Sequence, residues 1–229
     1  MQCSAIIVAA GSGIRLKFNA PKAFVPLRGR PLLYYSLQVI AALTEIVEAV
    51  VTVPAGMEPQ ARAEVVRAGV EIPVKLIAGG AERQDSVRIA LRITSAESEV
   101  VLVHDAARPL ATPALFAACM DATRRADGAI AAIAVADTLK RADGRTIAAT
   151  VSRDSLWQAQ TPQAFRRRSL IEAHDRAIRE RWAATDDAEL IERCGGRVEL
   201  IESSATNLKI TTPADLEIAE ALAARILGG

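Results

Sequence analysis

Runs of apolar, mostly β-branched residues recur along the chain and alternate with stretches in which apolar positions return every three or four residues. The runs at 5–9, 49–53, 74–77, 100–103 and 128–135 predict strands. They are nearly continuous rather than alternating, as expected of strands covered on both faces. Between them, 31–43, 58–68, 83–94 and 113–126 predict helices. Pro31 stands in the first turn of one and Gly69 just past the end of another, where each residue type is favoured. This alternation predicts an α/β doubly wound fold with a mostly parallel sheet and helices on both faces.

The rhythm changes after Val135. Residues 137–155 are polar, and an Ala142-Asp143-Gly144 turn separates two short β-like pieces, which predicts a projecting β-hairpin arm. Such an arm serves either as a dimerisation device or as a plain surface excursion. Helical patterns return at 165–181 and 186–194, and 197–202 predicts a strand. Thr212-Pro213-Ala214-Asp215 then opens a final amphipathic helix to residue 226, with an N-cap Thr, Pro at the first helical position and an acid at the third. No internal repeat or low-complexity linker interrupts the 229 residues, so a single domain over 1–229 is expected, with the arm at about 137–155.

Composition narrows the function classes. With 51% hydrophobic and 24% charged residues the chain can build a core, which excludes wholesale disorder. Lys plus Arg number 28 against 27 acids, so no bulk charge draws nucleic acid or anionic lipid, and anion binding must come from local clusters. Cys3, Cys119 and Cys194 lack CxxC spacing and fit reduced thiols of a cytoplasmic protein better than a disulfide framework or zinc site. No basic leader and no long uncharged apolar stretch is present, so neither a signal peptide nor a membrane span is expected.

The densest chemistry follows the first strand: Ala9-Ala10-Gly11-Ser12-Gly13-Ile14-Arg15, then Pro21-Lys22. A Gly-x-Gly after a buried strand lets backbone N–H groups approach a phosphate. No Gly-Lys-Ser/Thr follows, so it is not a P-loop, and Leu16 stands where a dinucleotide fingerprint needs its third glycine. Arg15 and Lys22 are two cations on one loop. Attack of one phosphate on another brings anions together, and such cations offset the repulsion and the charge on pentavalent phosphorus. The alternative is a strand-to-helix turn with surface cations.

Val103-His104-Asp105-Ala106-Ala107-Arg108-Pro109 sits at the carboxyl end of a predicted strand, where open α/β sheets bind ligands. Asp105 suits Mg²⁺, which takes one or two carboxylates plus substrate phosphates. The alternative for Asp105 is a helix cap or an ion pair with Arg108, and His104 reads as a packed strand residue. Gly79-Gly80, with Ser86 six residues on, allows backbone contact with a flat base and a hydroxyl contact to base or ribose, or is simply a turn. Arg153, Gln160-Thr161-Pro162-Gln163, Thr185-Asp186-Asp187 and Asn207-Leu208-Lys209-Ile210-Thr211 carry phosphate-holding side chains. Loop capping by Thr161 and Thr185 and a solvated strand edge at Lys209 are the alternatives. Arg166-Arg167-Arg168 reads as a solvated helix start.

Taken in order, these blocks resemble the 2-C-methyl-D-erythritol 4-phosphate cytidylyltransferase family over residues 6–221. The likeness is carried by Ala9-Ala10-Gly11-Ser12-Gly13-Ile14-Arg15, Pro21-Lys22, Gly79-Gly80 with Arg83 and Asp85-Ser86-Val87, His104-Asp105-Ala106-Ala107-Arg108-Pro109, Gln160-Thr161-Pro162-Gln163, Thr185-Asp186 and Asn207-Leu208-Lys209-Ile210-Thr211-Thr212-Pro213. The resemblance implies a Rossmann-like nucleotidyltransferase fold and a hairpin arm exchanged in a homodimer. It implies transfer of CMP from CTP to methylerythritol phosphate with release of pyrophosphate and use of Mg²⁺, a step of the non-mevalonate isoprenoid pathway. By the same likeness, Arg15 and Lys22 stabilise the pentavalent α-phosphate and Lys209 steers phosphates. Ala9, Ala10, Gly11, Gly80, Ser86 and Ala106 contact CTP, with the base near Gly80 and Ser86. Asp105 binds Mg²⁺ and a substrate hydroxyl. Thr138 and Arg153, on the arm, reach the sugar phosphate in the partner subunit's site, with Thr161 and Thr185 nearby. No general base is needed, because the attacking phosphate is already an anion.

The chain departs from the family pattern at Ala23, where a Gln is usual, in the apolar and basic loop 16–21, and at Asn207, where related nucleotidyltransferases often place a second metal-binding carboxylate. Two other functions stay open at this stage. One is cytidylyl transfer to ribitol 5-phosphate on the same scaffold. The other is a non-catalytic nucleotide-binding module, opposed by the joint presence of Arg15, Lys22, Asp105 and Lys209. A third possibility is that the chain is one module of a bifunctional isoprenoid enzyme, cut at Gly228-Gly229.

Overall fold

The computed structural model describes residues 1–11, 13, 16, 18 and 20–226. In chain order the elements are β1 (Cys3–Val8), a short 3-10 turn (Lys22–Phe24), β2 (Pro26–Leu27), β3 (Arg30–Pro31), α1 (Leu32–Ala41), β4 (Ile46–Val53), α2 (Glu58–Arg67), β5 (Val74–Ala78) and α3 (Arg83–Arg92). There follow β6 (Val100–Asp105), α4 (Pro113–Ala122), β7 (Gly128–Ala134), β8 (Leu139–Asp143), β9 (Thr146–Val151), β10 (Trp157–Arg166), α5 (Arg167–Glu180), α6 (Asp187–Arg193), β11 (Val198–Glu202) and α7 (Pro213–Ile226).

Seven strands form one sheet in the order β11-β7-β10-β6-β1-β4-β5. The pairs β1–β4, β1–β6, β4–β5 and β7–β11 are parallel, and β10 runs antiparallel to both neighbours. This is the mostly parallel α/β sheet of a Rossmann-like nucleotidyltransferase.

The apolar runs are continuous because successive side chains enter different layers. Ile7, Val51 and Leu102 pack with Leu33 and Leu37 of α1 and Phe116 of α4. Their neighbours Ile6, Val50 and Val103 join Val87 and Leu91 of α3 and Leu170 of α5. A smaller cluster ties α7 to the first loop, where Leu16 is buried with Val25, Leu110, Ile210 and Ala219. Leu16, at the missing third-glycine position, therefore anchors the loop. The expected start of α7 is present: Asp215 Oδ2 accepts from the Thr212 N–H at 2.8 Å, and Thr212 Oγ1 accepts from the Asp215 N–H at 3.3 Å.

One expectation fails. The sequence pattern starts a helix at 165 and places no strand before it, whereas Trp157–Arg166 is an interior strand. Pro162 hides it, since a missing N–H argues against a central strand. The pairing with β7 shifts register between Ala159 and Gln163, so Pro162 falls in the irregular stretch where no ladder donor is required.

The arm forms as expected. β8 and β9 pair antiparallel as their own two-stranded sheet, turning at Gly144 with φ 57°. Its side chains are largely exposed, Ile147 included. Among the described residues, no helix is long and apolar enough to cross a membrane.

Candidate active site

The carboxyl ends of β1, β5 and β6 open into a cleft of about 530 Å³. It is lined by Ala9, Ala10 and Gly11, by Gly80, Arg83 and Ser86, by Asp105 and Ala106, and by Lys22 and Lys209. Residues from widely separated parts of the sequence thus share one crevice. Arg15 lies outside the described residues.

Local packing dictates the glycines here. Gly13 has φ +71°, and a Cβ on it would lie 2.9 Å from Lys22 Cβ. The loop folds back so that the Lys22 N–H donates to the Gly11 carbonyl at 3.3 Å. A Cβ on Gly79 would lie 2.3 Å from Ala10 Cβ, and one on Gly80 2.3 Å from Asp85 Cβ. The Gly-Gly turn is therefore required by a close chain approach. Ser86 Oγ accepts from the Gly80 N–H at 3.0 Å and donates to the Glu82 carbonyl at 3.2 Å, bracing the turn beside the cleft.

Asp105 ends β6. Its Oδ1 accepts from Arg83 Nε at 3.0 Å and its Oδ2 from Lys209 Nζ at 2.5 Å. Burial alone would raise the carboxyl's pKa, but the Arg83 and Lys209 charges outweigh it and hold Asp105 well below the usual carboxylate range. The alternative Asp105–Arg108 ion pair is not formed. Arg108 turns to carbonyls, donating to Asn207 at 2.7 Å and to Ala159 at 3.5 Å.

Beneath Asp105 lies a buried support. The Asp105 N–H donates to Thr161 Oγ1 at 3.0 Å, Thr161 Oγ1 lies 3.1 Å from His104 Nδ1, and His104 Nε2 lies 3.3 Å from the Arg108 carbonyl. Burial pushes the His104 pKa down to about 3, so the imidazole is a neutral strut, as its place in a strand leads one to expect. Thr161 is buried under the cleft rather than lining it. Asn207 Nδ2 donates to Gln160 Oε1 at 2.8 Å and to the Thr161 carbonyl at 3.0 Å, which fixes the loop that delivers Lys209.

The chain's own cleft does not include Thr138, Arg153 or Thr185. Thr138 and Arg153 are exposed on the arm, where the Arg153 guanidinium donates to the Ala136 carbonyl. Thr185 is exposed and bonds Glu189 at the start of α6. A second cavity of about 300 Å³ is lined by Arg108, Gln158, Gln160 and Lys209, so Lys209 borders both spaces.

The sequence motifs include Arg83 without a role and give no sign that Asp187 and His174 stand behind it. Arg83 Nη1 donates to Asp187 Oδ2 at 2.7 Å, and His174 Nε2 lies 3.1 Å from Asp187 Oδ1. The only sequence hint is an arginine soon after a Gly-Gly turn at a ligand-binding edge. Among the described residues, no group of three or more His, Cys, Asp or Glu can hold a metal unaided. One ionised carboxylate in a cleft also lined by Lys22 and Lys209 still suits Mg²⁺, which completes its shell with water and substrate phosphates.

The profile of the 2-C-methyl-D-erythritol 4-phosphate cytidylyltransferase family matches residues 3–225. A protein of that name from Deinococcus radiodurans is 46% identical, the match covering 99% of this chain and 91% of the relative. The crystal structure of the Thermus thermophilus protein of that name superposes with TM-score 0.81 at 38% identity, over 97% of this chain and 99% of the other. A 4-diphosphocytidyl-2C-methyl-D-erythritol synthase from Anaerococcus prevotii gives TM-score 0.85 at 28% identity, over 96% and 95%. The fold, the ordered motifs and these matches agree, and the chain belongs to the 2-C-methyl-D-erythritol 4-phosphate cytidylyltransferase family.

Proposed function

We propose that this enzyme transfers CMP from CTP to 2-C-methyl-D-erythritol 4-phosphate, giving 4-diphosphocytidyl-2-C-methyl-D-erythritol and pyrophosphate. The observation that carries the reading is the single cleft shared by the glycine loop, Lys22, Lys209 and Asp105. An oxygen of the acceptor phosphate attacks the α-phosphorus of CTP. A new P–O bond forms there as the bond to the oxygen bridging toward the β-phosphorus breaks, and pyrophosphate leaves with that electron pair. The acceptor is anionic at neutral pH, so the protein positions and neutralises rather than deprotonates.

In this reading Ala9, Ala10, Gly11 and Ala106 present backbone to the nucleotide, and Gly80 and Ser86 border the base. Lys22, with Arg15, stabilises charge building on the α-phosphate. Lys209 exchanges its Asp105 contact for a substrate phosphate, and the second cavity, between Lys209 and Arg108, takes the polyol phosphate. Asp105 would hold Mg²⁺, which when bound neutralises phosphate charge. Thr161 keeps Asp105 in place from below, with Thr185 near the same region. Thr138 and Arg153 would complete the sugar-phosphate site from the arm of a partner subunit in a homodimer. The exposed Ile147, Leu156 and Trp157 on and beside the arm support that assembly. Three unpaired cysteines suit a cytoplasmic enzyme.

Phosphorus NMR of the reaction mixture tests the acceptor. CTP with methylerythritol phosphate should yield coupled diphosphate resonances and free pyrophosphate, with ribitol 5-phosphate turned over far more slowly. Equal or faster turnover of ribitol 5-phosphate would overturn the assignment of substrate.

A further inference from the structure

Arg83 connects the cleft to the interior behind it. It holds Asp105 through Nε at 3.0 Å and Asp187 through Nη1 at 2.7 Å, one nitrogen to each carboxylate. Asp187, only 1% exposed at the start of α6, is held on its other oxygen by His174 of α5, itself buried. The third Arg83 nitrogen, Nη2, is buried and has no hydrogen-bond partner. A carboxylate beside an Nε–H and an unused Nη2–H is close to the bidentate geometry, the stronger arrangement for arginine and carboxylate. Asp187, clamped to Nη1 and backed by His174, opposes that closure. It also balances charge: two cations, Arg83 and Lys209, face two carboxylates, Asp105 and Asp187.

We propose that Asp187 is a positioning residue for the transfer reaction, which limits Arg83 to one oxygen of Asp105 so that the other stays exchangeable between Lys209 and a substrate-bound cation. The inference rests on the cleft being the CMP-transfer site. Without the Asp187 charge, Arg83 closes on both Asp105 oxygens and competes with cation capture, while the nucleotide loop is untouched.

Asp187→Asn keeps the side chain's size and removes its charge. It should lower kcat and raise the half-saturating Mg²⁺ concentration, each by roughly 10–100-fold, as loss of a residue behind a metal ligand does, with the KM for CTP changed less than about twofold. Arg83→Lys removes the second nitrogen needed to close on both Asp105 oxygens, so adding it to Asp187→Asn should bring the half-saturating Mg²⁺ concentration back toward the native value. If Asp187→Asn does not fold, Asp187→Ser, equally uncharged, decides the matter. A folded Asp187 variant with native kcat, one losing kcat with unchanged Mg²⁺ dependence, or a double variant with no recovery overturns the proposal. A readout free of turnover is the Arg83 Nε–H resonance in ¹⁵N-arginine-labelled protein without nucleotide or metal. It should move in Asp187→Asn, and an unmoved resonance contradicts the orienting role. Absence of turnover by the native enzyme would instead fault the functional reading, which the resonance does not depend on.

Discussion

Lys209 Nζ lies 2.5 Å from Asp105 Oδ2, although 104 residues separate the two in the chain. The contact joins the last loop of the fold to the end of its central strand. In the proposed function it sets a cation that would bind substrate phosphate against a carboxylate that would hold a divalent ion. Each partner is exchanged for substrate groups in the proposed reaction.

Replacing Asp105 by Asn leaves Lys209 facing a neutral amide and removes the proposed cation ligand. Turnover should fall on the order of 10²–10³-fold. Stability should drop by only about 1–3 kcal/mol, because Lys209 is partly exposed and can reach water while Arg83 keeps Asp187. Steady-state kinetics and urea titration check this, and near-native turnover would remove Asp105 from the reaction.

Lys22 lines the cleft where the glycine loop folds back. Lys22→Ala should keep the native melting curve within a few degrees and lose roughly 10²–10³ in kcat, about 2.7–4 kcal/mol of barrier, as for a lost oxyanion donor. A folded variant retaining more than about half of native kcat is inconsistent with a cation acting on the α-phosphate.

The Gly79 position has no room for a side chain. Gly79→Ala drives a Cβ to 2.3 Å from Ala10 Cβ and should cost about 1–3 kcal/mol and raise the KM for CTP. Combining it with Ala10→Gly should recover part of both losses. Full tolerance of the single change, seen by melting and kinetics, would refute the close approach.

His104 makes stability depend on pH. Its pKa is near 6.5 when unfolded and about 3 in the fold. Between those values the unfolded chain binds more protons, so stability is complete above about pH 6.5 and declines as pH falls toward 3, by up to about 1.4 kcal/mol per pH unit. His104→Gln should flatten this decline by one proton between pH 6.5 and 4.5, above the range where the depressed Asp105 and Asp187 carboxyls add their own loss. Parallel denaturation curves for native and variant protein across that interval would contradict a buried neutral imidazole.

The sheet was legible because its strands are buried on both faces, so Ile6 and Ile7 are both apolar although they enter opposite layers. That the glycine loop, Asp105 and Lys209 meet at one cleft was legible because each sits in a motif at a strand end or near a helix start. β10 was hidden by Pro162, whose lost donor is excused only by a register shift that a neighbouring strand defines. Asp187 was hidden because its partner Arg83 is 104 residues away and nothing in Thr185-Asp186-Asp187 distinguishes a buried anchor from a helix cap. Asp186, beside it, is that cap, accepting from the Glu189 N–H at 3.0 Å.

In the proposed function, cations gathered around one cleft turn CTP over rather than merely hold it. Pyrophosphate release, followed on mixing native protein with CTP and methylerythritol phosphate, tests this most directly. The expected result is one pyrophosphate per CTP consumed, only when acceptor is present, and nearly none from Lys22→Ala. Saturable CTP binding without acceptor-dependent pyrophosphate from the native protein would contradict it.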